Sequence, residues 1–163
     1  MENKIVIIRR WTVFFMVSLF LSGLTAMPAE TELAWLTGWI GDGTAIGFWL
    51  HKVYAALAEA NERAPFLAYG YDWLAFAHFM LALLFIGVYR DPVRNKWILE
   101  FGMIACWCVV PFAMITGYYR GIPIGWRLID SMFGVIGLIP LTICYRKVLA
   151  MEKQIADQKI VTI

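Results

Sequence analysis

Residues 97–116 read WILEFGMIACWCVVPFAMIT, with Glu100 as the one charge. A helix needs about 20 apolar residues to cross a bilayer, and this run has that length. Three more stretches share its character: Trp11–Met27, Tyr71–Tyr89 and Ile124–Tyr145. The whole chain agrees with them. Of its 163 residues, 61% are hydrophobic and 16% charged, against roughly 45–50% and 25% in soluble domains. The mean hydropathy is +0.68. A soluble domain of this size needs a more polar skin, so the expected fold is all-α. It is an integral membrane protein whose single domain, 1–163, is a four-transmembrane-helix bundle.

The connections order the spans. Arg90–Lys96 and Gly117–Pro123 are short, which makes spans two, three and four antiparallel neighbours. One side then carries Lys4, Arg9, Arg10, Arg90, Arg94, Lys96, Arg146, Lys147, Lys153 and Lys159. The other carries Lys52, Arg63, Arg120 and Arg127. The positive-inside rule places the richer side in the cytoplasm. Both termini are expected there, in a bacterial inner membrane, with residues 146–163 as a cytoplasmic tail. Trp11, Trp73, Trp97 and Trp126 mark span ends, as amphipathic rings do where hydrocarbon meets headgroups. The first span has a rival reading: Lys4, Arg9 and Arg10 before an apolar run, with Leu24-Thr25-Ala26 as a cleavage site, resemble a signal peptide. The length of the run and the bulk of Leu24 favour a retained span.

Residues 28–70 form an outer segment that is more than a loop. Ile46, Leu50, Val53, Leu57, Ala60 and Ala64 repeat at helical spacing, with Lys52, Glu59, Glu62 and Arg63 opposite. Thr44 is placed to cap this helix and Pro65 to end it. Upstream, Trp35, Leu36, Trp39 and Ile40 make a shorter stripe broken by Gly38, Gly41 and Gly43. Such amphipathic pieces suit a water–lipid boundary, on the outer leaflet or as a lid over the spans.

Ionisable groups inside a span are costly and face protein or a cavity. His78 on span two and Asp130 on span four lie at similar depths below the outer interface, about 5–9 Å by helix rise. They are the candidate catalytic pair, with the chemistry for general acid–base work. Arg127 and Arg120 above them are candidate ligands for an anionic headgroup or carboxylate, and Arg127 is also spaced to pair with Asp130. The bland alternative has Arg127 snorkelling to headgroups, with Asp130 and His78 satisfied by neighbouring helices. His51 and His78 are the only histidines; they matter as ligands only if a haem b is present. No other metal site or cofactor is expected. Glu100 is expected to pair with Lys96 one turn earlier. Asp91-Pro92 reads as the cap and first turn of span three, and Pro111 and Pro140 as kinks.

Cys106, Cys108 and Cys144 lie in apolar runs and read as buried free thiols without a disulfide or metal motif. Ser131, Gly134 and Gly137 form a small-residue strip suited to close helix packing, and weakly to dimerisation. The run YRGIPIGWR at 119–127 has the look of a signature, and no function attaches to it. No phosphate loop, HExxH, GxSxG or CxxC occurs, and a net charge of +2 is no nucleic-acid footprint. The inventory favours a non-catalytic accessory or scaffold subunit, meeting the lipid bilayer and a membrane protein partner or a second copy. The alternative is an outer-leaflet binding protein or enzyme for a lipid-like or anionic amphiphile, using the Arg/Asp/His cluster; a third reading is haem binding.

Overall fold

The computed structural model describes residues 2–161, with side chains through residue 158. The Lys159 side chain and the final two residues of the expected tail lie outside the described residues. The fold is all-helical, 89% helix, with no strand among the described residues. The order is α1 (Glu2–Ala26), α2 (Ala29–Trp39), α3 (Ala45–Arg63), a 3-10 turn (Pro65–Ala68), α4 (Tyr69–Leu84), α5 (Ile86–Arg90), α6 (Lys96–Tyr119) and α7 (Ile124–Val161). Four helical stretches are long and apolar enough to cross a membrane: Glu2–Ala26, Pro65–Arg90, Lys96–Tyr119 and Ile124–Gln158. The chain divides into two compact units, one of Met1–Val17 with Ala82–Ile163 and one of Ser18–Leu81.

The first unit is built on α6 against α7. The small-residue strip makes that contact. A Cβ on Gly134 would strike the Cys106 carbonyl and lie 3.1 Å from Val109 Cβ, and one on Gly137 would lie 2.9 Å from Cys106 Sγ. Ser131, 6% exposed, donates its hydroxyl to the Arg127 carbonyl at 2.8 Å, so the strip stays free of unpaired hydroxyls. The strip is therefore spent within the chain. The start of α1 packs here too. Cys144 Sγ lies 3.6 Å from the Ile8 carbonyl and 3.9 Å from Thr12 Oγ1, and Lys4 Nζ donates to the Ala150 carbonyl and Gln154 Oε1. Phe85 is buried between Phe15, 4.8 Å away by ring centroid, and the gap that Gly102 leaves.

Four expectations change in this unit. Cys106 and Cys144 are buried but Cys108 is exposed, because positions i and i+2 of a helix point to opposed sides. Asp91-Pro92 does not start span three. The Asp91 carboxylate accepts from Arg94 N at 3.0 Å and caps a separate turn. α6 begins at Lys96, with Asn95 tying the connection together through Nδ2 bonds to the Gly87 and Asp91 carbonyls at 3.0 and 2.9 Å. Lys96 bonds Glu152 of α7 at 2.9 Å, not Glu100, and Glu100 accepts from Tyr145 Oη at 3.1 Å. A Lys placed four residues before a Glu is the weaker order for a pair on one helix, and α7 supplies interhelical partners instead. Finally, span two is interrupted at Phe85, whose N–H reaches back only to Ala82 O at 3.2 Å, a break with no proline to announce it. α6 and α7 run continuously through Pro111 and Pro140.

The signature-like run is a helix stop followed by a helix start. Ile122 N–H bonds the Gly117 carbonyl at 2.9 Å and Gly121 N–H that of Tyr118 at 3.2 Å, with Gly121 at φ +67°. This is a Schellman ending, and the Pro123 carbonyl then takes the Trp126 and Arg127 N–H groups. Because an L side chain pays about 1–2 kcal/mol in the left-handed region, Gly121→Ala is expected to lower stability by that amount. Gly125→Ala, with open space around it, serves as the control. Equal thermal shifts for the two in detergent would refute the ending as a stability determinant.

In the second unit, α2 and α3 pack as a hairpin with Asn61 Nδ2 on Glu30 Oε2 at 2.6 Å. Thr44 caps α3 as its position in the sequence demands, accepting from Gly47 N at 3.0 Å. Leu50 is buried, and Lys52, Glu59, Glu62 and Arg63 are exposed. Trp35, Trp39, Phe48 and Phe66 nevertheless stay exposed, Trp39 at 77%. The end of α1 meets α4 at Gly23, where a Cβ would lie 2.8 Å from His78 Cβ, and Phe20 packs on Phe79 with centroids 4.9 Å apart.

Candidate functional site

Three of the four candidate residues flank the α6–α7 connection in the first unit. Arg127 sits in the first turn of α7, and its aliphatic stem fills the space that Gly117 leaves empty: a Cβ there would lie 2.5 Å from both Cγ and Cδ. Its Nη1 donates to the Met114 carbonyl at 3.4 Å. Its Nε is buried without a hydrogen-bond partner. The guanidinium is thus folded back along α6, and one turn on, Asp130 is half-buried. The i, i+3 ion pair between them does not form: among the described residues the ion pairs are Arg63–Glu59 and Lys96–Glu152. Packing explains this. The arginine stem follows the Gly117 gap toward the α6 carbonyls, and that course carries its charge away from the Asp130 carboxylate. Arg120 is exposed at the C-cap of α6.

His78 belongs to the second unit. Its Nδ1–H donates to the Leu74 carbonyl of the preceding turn at 2.8 Å. His51 does the same with Gly47 O at 2.9 Å. Each imidazole is held by its own helix, which leaves Nε2 as the ring nitrogen open to a ligand. No group of three or more His, Cys, Asp or Glu side chains is placed to hold a metal ion among the described residues.

A groove that the sequence did not single out lies at the other end of the first unit. It measures about 570 Å³ and runs along α1 from Arg9 and Arg10 to Val17, with Tyr89 as its wall. Arg9 Nε donates to the Tyr89 carbonyl at 3.1 Å, and its guanidinium carbon lies over the Tyr89 ring, 5.2 Å from the centroid. The signal was present in the sequence as adjacent arginines ahead of an apolar run. Nothing in the linear order brings Tyr89 beside Arg9, so the arginines read there only as charges that set orientation. No family model, curated protein or solved structure matches the chain.

Proposed function

We propose that this chain is an integral membrane protein of four spans with no chemistry of its own, acting as an accessory or scaffold subunit beside a larger membrane partner. One observation carries the reading. Within the four apolar windows only 11–28% of residues are buried inside the chain, so most of that surface requires lipid or other helices as neighbours. The exposed residues are bulky, among them Trp107, Phe112 and Phe133. The polar side chains within the spans support the same reading, since Tyr145 and Glu100 join α7 to α6 and Ser131 is satisfied by the carbonyl of its own helix.

In this reading the termini lie in the cytoplasm of a bacterial cell, and residues 28–70 face outward with their tryptophans at the headgroups or on the partner. Reporter fusions test it. A fusion at Asn95 should read cytoplasmic and one at Asn61 external; the reverse pattern overturns the orientation. Native electrophoresis of mildly solubilised membranes should show the chain in a complex of fixed stoichiometry, larger than the purified protein. Migration as the isolated chain in both samples removes the scaffold role.

A second reading draws on the buried, unpartnered Arg127 Nε and on a half-buried Asp130, three residues on, that has no ion pair: an outer-leaflet pocket for an anionic amphiphile, with Arg120 at its mouth. The two readings part on Arg127→Ala and Asp130→Asn. For a scaffold, Arg127→Ala empties the gap at Gly117 and lowers thermal stability by about 1–2 kcal/mol, while Asp130→Asn is nearly neutral. Loss of a co-purifying amphiphile in both variants, at unchanged stability and yield, would favour the pocket.

A further inference from the structure

We propose that the groove along the start of α1 holds one anionic phospholipid, its phosphate between Arg9 and Arg10 and its acyl chain along Val13, Phe14 and Val17. This rests on the membrane residence argued above. The lining is ordered along the helix axis. Arg9 and Arg10 follow Val6 by one turn, and the longer apolar run of Val13, Phe14 and Val17 continues from them at steps of three and four on the same face. From Arg10 to Val17 the helix rises about 10 Å, so a headgroup at the arginines leaves its chain against the valines.

The charge is oriented before any ligand arrives. The Arg9 bond to the Tyr89 carbonyl uses Nε alone, and the guanidinium carbon is held over the Tyr89 ring. The two terminal nitrogens are left for a bidentate phosphate contact. Arg10 has neither a hydrogen bond nor an ion pair within the chain among the described residues. The groove contains no acidic residue, so its two positive charges have no counter-charge there. Free phosphate satisfies the arginines but not the apolar floor. A zwitterionic lipid satisfies the floor but sets its own cation beside two others. An anionic phospholipid satisfies both, in the leaflet on the side where ten of the fourteen Lys and Arg residues fall.

Native mass spectrometry of the full-length protein in detergent, with phosphatidylglycerol and phosphatidylcholine supplied equally, tests the site. One phosphatidylglycerol per chain should be retained in preference. Arg9→Gln/Arg10→Gln should weaken its retention at least tenfold. Val13→Trp, which keeps both arginines but fills the groove, should do the same; Val13 is already 43% exposed, so the fold tolerates the ring. Arg146→Gln/Lys147→Gln, which removes two charges from the same side, should leave retention unchanged, and millimolar glycerol phosphate should not displace the lipid. The site is overturned if the Arg9/Arg10 variant retains lipid as the wild type does, if the Arg146/Lys147 variant loses as much, or if glycerol phosphate competes. Alkaline carbonate extraction separates the two levels. A chain released from membranes removes the membrane reading and the site together, whereas a chain retained without lipid preference removes the site alone.

Discussion

Gly134→Leu is expected to cost the α6–α7 pair most of its stability. A Cβ at this position would meet the Cys106 carbonyl and, at 3.1 Å, Val109 Cβ. The first of these is backbone and cannot rotate aside. Overpacking a close-packed site costs about 1–3 kcal/mol, and occasionally more, and Leu adds four carbons against a rigid obstacle. The loss should therefore reach the top of that range or exceed it. Gly134→Ala, one carbon, should fall within the range. Gly125→Leu on the same helix faces open space and should shift the melting temperature little. Melting of the purified protein in one detergent compares the three. Equal shifts for Gly134→Leu and Gly125→Leu would mean that helix propensity, not the close approach, sets the loss.

Phe85→Ala should have the next largest effect. The ring is 2% exposed, packs tilted against Phe15 with centroids 4.8 Å apart, and lies where a Cβ on Gly102 would be 2.8 Å from its Cζ. In a water-soluble core, Phe→Ala costs about 3–5 kcal/mol from transfer and cavity together. In the membrane that the proposed reading requires, lipid removes much of the transfer part, since hydrocarbon is as apolar as the core, while lost dispersion contacts remain. The expected loss thus sits at or below the lower end of that range. Phe85→Leu, which keeps most of the volume, should recover over half of it. The break in span two gives a second readout: the Phe85 N–H turns to Ala82 rather than continuing the regular ladder, so amide exchange near residues 82–89 should quicken in Phe85→Ala. Unchanged exchange there would mean that the break stands without the ring.

Together these variants probe the packing on which both proposed readings rest. The α6–α7 contact and the Phe85 pocket set which apolar faces turn outward. The two proposed readings, scaffold or pocket, depend on the same packing, because Arg127 takes its course from the gap at Gly117.

The sequence alone determined most of the elements, though neither the break at Phe85 nor the start of α6 at Lys96. Period, length and punctuation decide them locally: apolar runs of span length, the step of three and four from Ile46 to Ala64, Thr44 as a cap and Pro65 as a stop. Each of these is settled within a few residues of itself, so no partner is needed to read it. The candidate site was legible only as residue types at similar depth. Tertiary structure decided what those types do. Arg127 turns from Asp130 because a glycine ten positions back leaves room for its stem, and Lys96 takes Glu152 rather than Glu100 because α7 runs alongside. Arg9 is held by the Tyr89 carbonyl, 80 positions away. Each of these outcomes is a competition between partners distant in the chain. It is won by distance and packing in three dimensions, which linear spacing does not contain.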